Sequence, residues 1–254
     1  MTLLSVRAVS KRFGGLQAID GLSFDVAQGS IKALIGPNGA GKTTLFNLIS
    51  GALEPDSGEI VFGGASVHDL SPDRIASLGM VRTFQHIRLF PKMTVLENVM
   101  VGRHVHSRAG FFAGMLNLPF TWKEERRIRE KSLEILDLLG IADHARTEAS
   151  SLAYGQQRVV EIGRALACEP KLLLLDEPAA GLNMRETNDM GRLIERIRDM
   201  GVTVLLVEHD MSLVMKISDE VVVLSYGQKI AEDRPLSIQK NPEVIRVYLG
   251  DDGC

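Results

Sequence analysis

Residues 36 to 44 read Gly36-Pro37-Asn38-Gly39-Ala40-Gly41-Lys42-Thr43-Thr44 and directly follow the apolar segment Ile31 to Ile35. This run matches the pattern GxxxxGK[ST], placed between a predicted strand and a predicted helix. Glycines let successive backbone N–H groups converge on phosphate oxygens, and the following helix adds roughly half a positive charge at its start. We therefore predict that all nine residues bind the phosphates of a nucleoside triphosphate, with Lys42 reaching the β- and γ-phosphates as part of the catalytic set.

A second motif supplies two carboxylates. The apolar run Lys171 to Leu175 ends in Asp176 and Glu177, which is typical of a buried parallel strand that delivers acids to the carboxyl edge of a sheet. We predict that Asp176 and the hydroxyl of Thr43 hold magnesium, which takes few protein ligands and keeps several waters. Glu177 is the predicted general base for attack of water on the γ-phosphate. The alternative is a helix N-terminus lined with acids.

The composition is that of an ordinary globular chain. Its 254 residues are 45% hydrophobic and 24% charged, with a net charge of −3, so one domain, with or without an inserted lobe, can bury a sizeable core. No apolar stretch approaches the ~20 residues that span a bilayer, and the first residues lack a signal-peptide layout. The two cysteines, Cys168 and Cys254, form no disulfide framework. We expect a reducing cytoplasm, no nucleic-acid partner, and a membrane role only through partners.

Strand and helix signals predict an α/β fold. An antiparallel flank is expected from Leu3 to Ala8, Leu22 to Val26 and Ile60 to Phe62. Parallel strands are expected at Gly79 to Thr83, Lys171 to Leu175 and Val202 to Val207.

Between about residues 94 and 168 strand signals vanish, and capping boxes at Thr94 to Glu97 and Thr121 to Glu124 predict helices. We predict a single domain, 1–254, with a P-loop NTPase (RecA-like) core. In this domain, residues 1–86 and 169–254 form the nucleotide-binding core, and residues 87–168 form an inserted α-helical subdomain.

Several motifs in fixed order resemble the ATP-binding cassette (ABC) family, over essentially the whole chain. Phe13 matches the aromatic residue that stacks on adenine in that family. Gln85 matches the glutamine that senses the γ-phosphate and binds magnesium. His209 matches the histidine after the strand that follows the two acids. The resemblance implies ATP as the nucleotide and catalytic roles for Gln85 and His209. The less favoured alternatives from the residues alone are that Phe13 is a core aromatic, that Gln85 is an exposed turn residue and that His209 caps a helix.

One further segment resembles the LSGGQ signature, which is nearly exclusive to that family; it reads Leu152-Ala153-Tyr154-Gly155-Gln156-Gln157. The resemblance implies that Ala153, Gly155 and Gln156 contact the ATP of a second cassette, so that two ATP molecules are sandwiched in a head-to-tail dimer. Three residues depart from the family pattern. In the signature, Ala153 replaces the usual serine and Tyr154 replaces a glycine. Asn183 replaces the aspartate that commonly follows the two acids a few residues later in the chain. The missing serine hydroxyl removes one γ-phosphate contact, of about 1.5–3 kcal/mol.

Five segments resemble the ATPase subunit of branched-chain amino-acid importers. They are LAYGQQR, LDEPAAGLN, RTFQHIRLFP, VEHDM and the stretch from Gln239 to Gly250. This resemblance implies a transport ATPase, a translocase peripheral to the cytoplasmic face of the inner membrane. It also implies a homodimer, or a heterodimer with a second, shorter ABC ATPase. Further implied partners are transmembrane permease subunits and, indirectly, a periplasmic or extracellular substrate-binding protein.

Other functions stay open at this point. The cassette never touches the cargo, so urea or amide import and lipopolysaccharide export are alternatives. A non-transport cassette acting on DNA or ribosomes is an alternative of another class. Such proteins carry long coiled-coil insertions or two fused cassettes, which this sequence lacks. A P-loop GTPase is disfavoured because no NKxD motif occurs.

A loop predicted to couple the cassette to the membrane runs from Phe84 to Pro91 and mixes apolar with charged residues. Such a mixture is unusual in a loop unless a partner covers it. We predict that a transporter helix docks there. The alternative is that Leu89 and Phe90 fill the core of the helical subdomain itself.

Overall fold

The computed structural model describes residues 1–83, 87–103 and 119–249, except for the side chains of residues 119–123 and 249. These residues form two compact units. The first comprises the described residues of Met1–Arg82 and Lys171–Cys254, and the second those of Thr83–Pro170. Cys168 is buried, whereas Cys254 lies outside the described residues.

An antiparallel sheet of four strands occupies part of the first unit. Its strands are β1 (Thr2–Phe13), β2 (Leu16–Ala27), β4 (Ser57–Phe62) and β5 (Ala65–Ser66). They are ordered β2-β1-β4-β5. The predicted antiparallel flank is therefore confirmed.

The second sheet of this unit has six strands. They are β3 (Ile31–Ile35), β6 (Met80–Arg82), β7 (Leu172–Asp176), β8 (Thr203–Val207), β9 (Glu220–Ser225) and β10 (Gln228–Asp233). Their order is β10-β9-β3-β8-β7-β6, and every pair except β9 with β10 is parallel. All residues of β3, β7 and β8 are buried, as expected for central parallel strands that read as continuous apolar runs.

The helices, in chain order, are α1 (Lys42–Ile49), α2 (Pro72–Ser77), α3 (Val95–Arg103), α4 (Pro119–Leu138), α5 (Tyr154–Leu166), α6 (Met184–Asp199), α7 (Met211–Ile217), α8 (Pro235–Ile238) and α9 (Pro242–Leu249). Helices α3, α4 and α5 belong to the second unit, together with short 3₁₀ turns at Ala142–His144 and Ala149–Ser151. Among the described helices, none is both long and apolar enough to cross a membrane.

One apolar core joins both sheets of the first unit through α1. Phe46 of α1 is fully buried in the same cluster as Val6 and Ile60 of the antiparallel sheet and Leu174 and Leu205 of the parallel sheet. Burial of such side chains contributes about 1.5–3 kcal/mol each. The helix that follows the glycine-rich loop is thus fixed by packing on both sheets.

One of the two predicted helix starts in the second unit is correct. Thr94 forms the predicted capping box: its Oγ1 accepts the N–H of Glu97 (3.2 Å), and Glu97 Oε2 accepts the N–H of Thr94 (2.7 Å). The capping box predicted at Thr121 is wrong, because α4 begins at Pro119. Proline is favoured at the first helical position, where its missing N–H costs nothing.

Candidate functional site

The glycine-rich loop connects β3 to α1, and two of its glycines leave no room for a side chain. At Gly36 an added Cβ would overlap the carbonyl oxygen of Leu224. Gly41 precedes α1 with φ of 101°, and a Cβ there would lie 2.6 Å from the carbonyl oxygen of Ala18. Both positions therefore require glycine, because neighbouring backbone approaches too closely for any other residue.

Lys42 lies at the start of α1 and is buried. Its Nζ donates hydrogen bonds to the carbonyl oxygens of Gly36 (2.7 Å) and Pro37 (3.0 Å). Burial lowers the pKa of Lys42, and the nearby charge of Glu177 partly opposes this effect. The loop thus wraps its own backbone around the ammonium group that we expect to bind phosphate.

The two acids lie where the parallel sheet ends. Asp176 is the last residue of β7 and is buried, and its Oδ2 pairs with Nη2 of Arg82 at 2.8 Å. Glu177 follows with φ of 49°, and its N–H donates to the carbonyl oxygen of Val207 (2.9 Å). Positive φ outside glycine is uncommon and concentrates at functional sites. The alternative of a helix N-terminus is wrong, because the next helix, α6, begins only at Met184.

His209 follows β8 and is largely exposed. Its Nδ1 lies 4.0 Å from Oε2 of Glu177, so the structure brings these two residues, which were predicted separately as catalytic, close together. The alternative role of His209 as a helix cap is wrong. Asp210 caps α7 instead, because its Oδ1 accepts the N–H groups of Ser212 (2.9 Å) and Leu213 (3.1 Å).

Glu208 was missed by the sequence reasoning, although an acid directly after a buried strand is the same signal that identified Asp176. Its carboxylate is almost completely buried and accepts the N–H groups of Ala179 (2.8 Å) and His209 (3.0 Å). Burial raises the pKa of Glu208, and these backbone bonds partly lower it. Glu208 therefore ties the loop after the acids to the loop that carries His209.

Phe13 ends β1, and 46% of its surface is exposed. The alternative that Phe13 is a core aromatic is therefore wrong. The Nζ of Lys11 lies 5.9 Å from the centre of its ring. An exposed ring face is what stacking on a base requires.

Gln85, with its neighbours Phe84 and His86, lies outside the described residues. Arg82, at the end of β6, is a second residue that the sequence reasoning missed. Besides Asp176, it contacts α1 and its cap: Nη1 donates to Asn47 Oδ1 (2.7 Å) and Ser50 Oγ (3.1 Å). No local sequence signal marks these contacts, because all of them are distant along the chain.

The signature segment lies at the start of α5 in the second unit. Ala153 and Tyr154 are exposed, and Gly155 and Gln156 are partly exposed. Gln156 caps its own helix, since its Oε1 accepts the N–H of Ala153 (3.2 Å). Tyr154, in the place of a glycine, accepts a hydrogen bond at its hydroxyl from Arg158 Nη2 (3.1 Å). Ala153 has no side-chain acceptor, so the first N–H groups of α5 receive no cap from that position.

A small donor set for a metal lies in the first unit. Within the ranges that the structure describes, no group of three or more His, Cys, Asp or Glu side chains could hold a metal ion. Thr43 is exposed on the first turn of α1, and Asp176 ends β7. One hydroxyl and one carboxylate fit magnesium that is bound mainly through phosphates and water, and would not fit a metal held by protein alone.

Three features together place the chain in the class of P-loop nucleoside triphosphatases. They are the parallel sheet, the glycine-rich loop after β3 and the acids at the end of β7. A family model described as ABC transporter matches residues 19–180, and one described as Branched-chain amino acid ATP-binding cassette transporter matches residues 228–253. The chain therefore belongs to the ABC transporter family.

Relatives within that family are similar over nearly the whole chain. The high-affinity branched-chain amino acid transport ATP-binding proteins LivG of Escherichia coli (strain K12) and BraF of Pseudomonas aeruginosa are each 44% identical over 250 residues, 98% of both chains. A crystal structure of a nucleotide-free ATP-binding cassette from an ABC transporter matches with a TM-score of 0.86 and 33% identity, over 99% of this chain and 100% of that one.

The position of Lys42 generates a direct prediction. Lys42→Ala should weaken ATP binding about 10- to 100-fold, the loss of a charge-assisted hydrogen bond of about 1.5–3 kcal/mol. Equilibrium titration with a fluorescent ATP analogue measures this, with Lys240→Ala, an exposed lysine near α8, as the matched control. Equal affinity of the two variants would remove Lys42 from the phosphate site.

Proposed function

We propose that this protein hydrolyses ATP at the cytoplasmic face of the membrane to power import of branched-chain amino acids through separate permease subunits. The observation that carries the proposal is the full-length similarity to LivG and BraF, which extends into the carboxyl-terminal segment matched at residues 228–253. The membrane association and the cargo rest on this similarity. The hydrolysis rests on the site itself.

In the proposed reaction, the phosphates of ATP bind to the loop 36–44, and Phe13 stacks on the adenine. Thr43, Asp176 and Gln85 would hold magnesium, which when bound neutralises charge on the β- and γ-phosphates. Lys42 binds the same phosphates from inside the loop. These residues place the γ-phosphate at the carboxyl edge of the parallel sheet.

Glu177 is the proposed base, assisted by His209. The left-handed backbone of Glu177 is held by its hydrogen bond to Val207, and its side chain is only 23% exposed. A water molecule that gives its proton to Glu177 gains nucleophilicity towards the γ-phosphate. His209, 4.0 Å from that carboxylate, is placed to orient the water and the phosphate.

Glu177→Gln should lower the ATPase turnover by about 10²- to 10⁴-fold, because the amide keeps the shape of the side chain but accepts no proton. ATP affinity should persist. Phosphate release by the reconstituted transporter complex is the measurement, and Glu59→Gln, on the exposed part of β4, is the control. Normal turnover in Glu177→Gln would exclude Glu177 as the base.

We also propose that the active form is a pair of cassettes, either two copies or one copy with a second ABC ATPase. Ala153, Gly155 and Gln156 would contact the ATP of the partner cassette. The exposed start of α5 supports this role, because N–H groups at a helix N-terminus bind anions well. Such a contact makes ATP a ligand shared by both cassettes.

ATP should therefore promote association, since a ligand stabilises the state that makes more contacts with it. Sedimentation velocity of Glu177→Gln with magnesium and ATP should show a dimer, alone or mixed with the second ATPase, and ADP should not produce it. Identical sedimentation with ATP and ADP in both mixtures would contradict the paired arrangement.

The permease is proposed to dock on the loop from Phe84 to Pro91, of which the structure describes residues 87–91. The side chain of Phe90 is 48% exposed, so it does not fill the core of the second unit. Its backbone is nevertheless fixed: buried Asn98 of α3 accepts the N–H of Phe90 (2.8 Å) and donates to its carbonyl oxygen (3.1 Å). A rigid backbone that presents an exposed aromatic ring suits a docking contact.

Phe90→Ser should therefore leave ATP binding by the isolated subunit unchanged and prevent stable assembly with the permease. Leu89→Ser should act in the same direction. Copurification with the permease and uptake by proteoliposomes are the measurements, with Leu133→Ser, a half-exposed leucine of α4, as the control. Unfolding of Phe90→Ser, or transport at the wild-type rate, would exclude this docking site.

A further inference from the structure

Arg82 connects three parts of the first unit that are far apart in sequence. It is the last residue of β6, and its guanidinium group bonds Asp176 Oδ2 of β7 (2.8 Å), Asn47 Oδ1 of α1 (2.7 Å) and Ser50 Oγ (3.1 Å). The group also lies over the ring of Phe46, at 5.6 Å from its centre. The planar fork of arginine suits such a set of separate acceptors, whereas lysine offers one point charge.

The pair formed by Arg82 and Asp176 is largely shielded from solvent, with side-chain exposures of 12% and 5%. A carboxylate so far from water is costly unless a counter-charge and hydrogen bonds accompany it. Among the described residues, the Asp176 carboxylate is hydrogen-bonded by a side chain only at Oδ2. Arg82 therefore fixes the orientation of this carboxylate and leaves Oδ1 for a second partner.

Two of these parts carry residues proposed to bind magnesium. Thr43 is on α1, and Asp176 ends β7. Arg82 contacts both parts from the end of β6. Partners that orient the carboxylate ligands of a metal commonly change its affinity by about 10- to 100-fold when they are removed.

We infer that Arg82 is a positioning residue for magnesium: it holds α1 and Asp176 in the arrangement that binds the metal–nucleotide complex. This inference rests on the proposed function as an ATPase. Arg82 itself touches neither metal nor nucleotide in this role. Its effect on ATP binding therefore depends on magnesium.

The experiment compares ATP affinity with excess magnesium and with EDTA, by equilibrium titration of the isolated protein. The ratio of the two dissociation constants is the magnesium enhancement. Arg82→Lys keeps the positive charge and loses the fork, so the enhancement should fall about 10- to 100-fold while affinity in EDTA stays unchanged. Arg74→Lys, an exposed arginine of α2, should match the wild type.

A double-mutant cycle separates positioning from general damage to the fold. Once Asp176→Asn has removed the metal-binding carboxylate, adding Arg82→Lys should change the enhancement no further. Thermal unfolding of every variant accompanies the titrations. If Arg82→Lys is less stable, the titrations are run well below its melting temperature, and the expected ratio is the same.

Three results would overturn the inference. The first is an unchanged enhancement in Arg82→Lys. The second is an increased enhancement, which would make Arg82 a competitor of the metal. The third is an equal loss of affinity with magnesium and with EDTA, which would make Arg82 a purely structural part of the loop. A wild-type protein that binds no ATP would reject the proposed function together with this inference, whereas normal wild-type binding with any of the three results rejects the inference alone.

Discussion

Parallel pairing of β3, β8, β7 and β6 is the constraint from which the site follows. In this register Val207, the last residue of β8, pairs with both Leu34 of β3 and Asp176 of β7. The carboxyl ends of the strands therefore lie side by side, and the residues that leave them meet at one edge of the sheet. A slip of one residue would turn Asp176 to the opposite face of the sheet. The chemistry of the site is thus set by hydrogen bonds of the backbone.

Buried charges at that edge give the site a single geometry. Four charged side chains there are buried or nearly buried, and each forms hydrogen bonds with backbone or side-chain groups: Lys42, Arg82, Asp176 and Glu208. An unpaired charge at such depth would cost several kcal/mol. Alternative arrangements of the loops would leave one of these charges without its partners, so they are penalised far more than a shift of apolar contacts would be.

Features that depend on local chemistry could be predicted from the sequence, and those that depend on long-range contacts could not. The apolar runs of β3, β7 and β8 read directly as buried strands, and the Thr94 capping box predicted the start of α3. The same motif at Thr121 predicted the wrong start for α4, because that helix begins two residues earlier, at Pro119. Arg82 escaped prediction since its partners, Asn47 and Asp176, are 35 and 94 residues away. The solvent exposure of Phe13 excludes a core position, which the hydrophobic periodicity of the sequence could not do.

Two departures from the family pattern have unequal physical consequences. Asn183 caps α6 with its Oδ1, which accepts the N–H groups of Arg185 and Glu186 (3.0 Å each), so it replaces an aspartate without loss of the cap. Ala153 offers no such oxygen to α5. Gln156 accepts the N–H of Ala153, the residue that precedes the helix. The first N–H groups of α5 thus receive no acceptor from Ala153. In the proposed pair of cassettes, recognition of the partner's γ-phosphate therefore shifts from a serine hydroxyl to backbone N–H groups and the helix dipole.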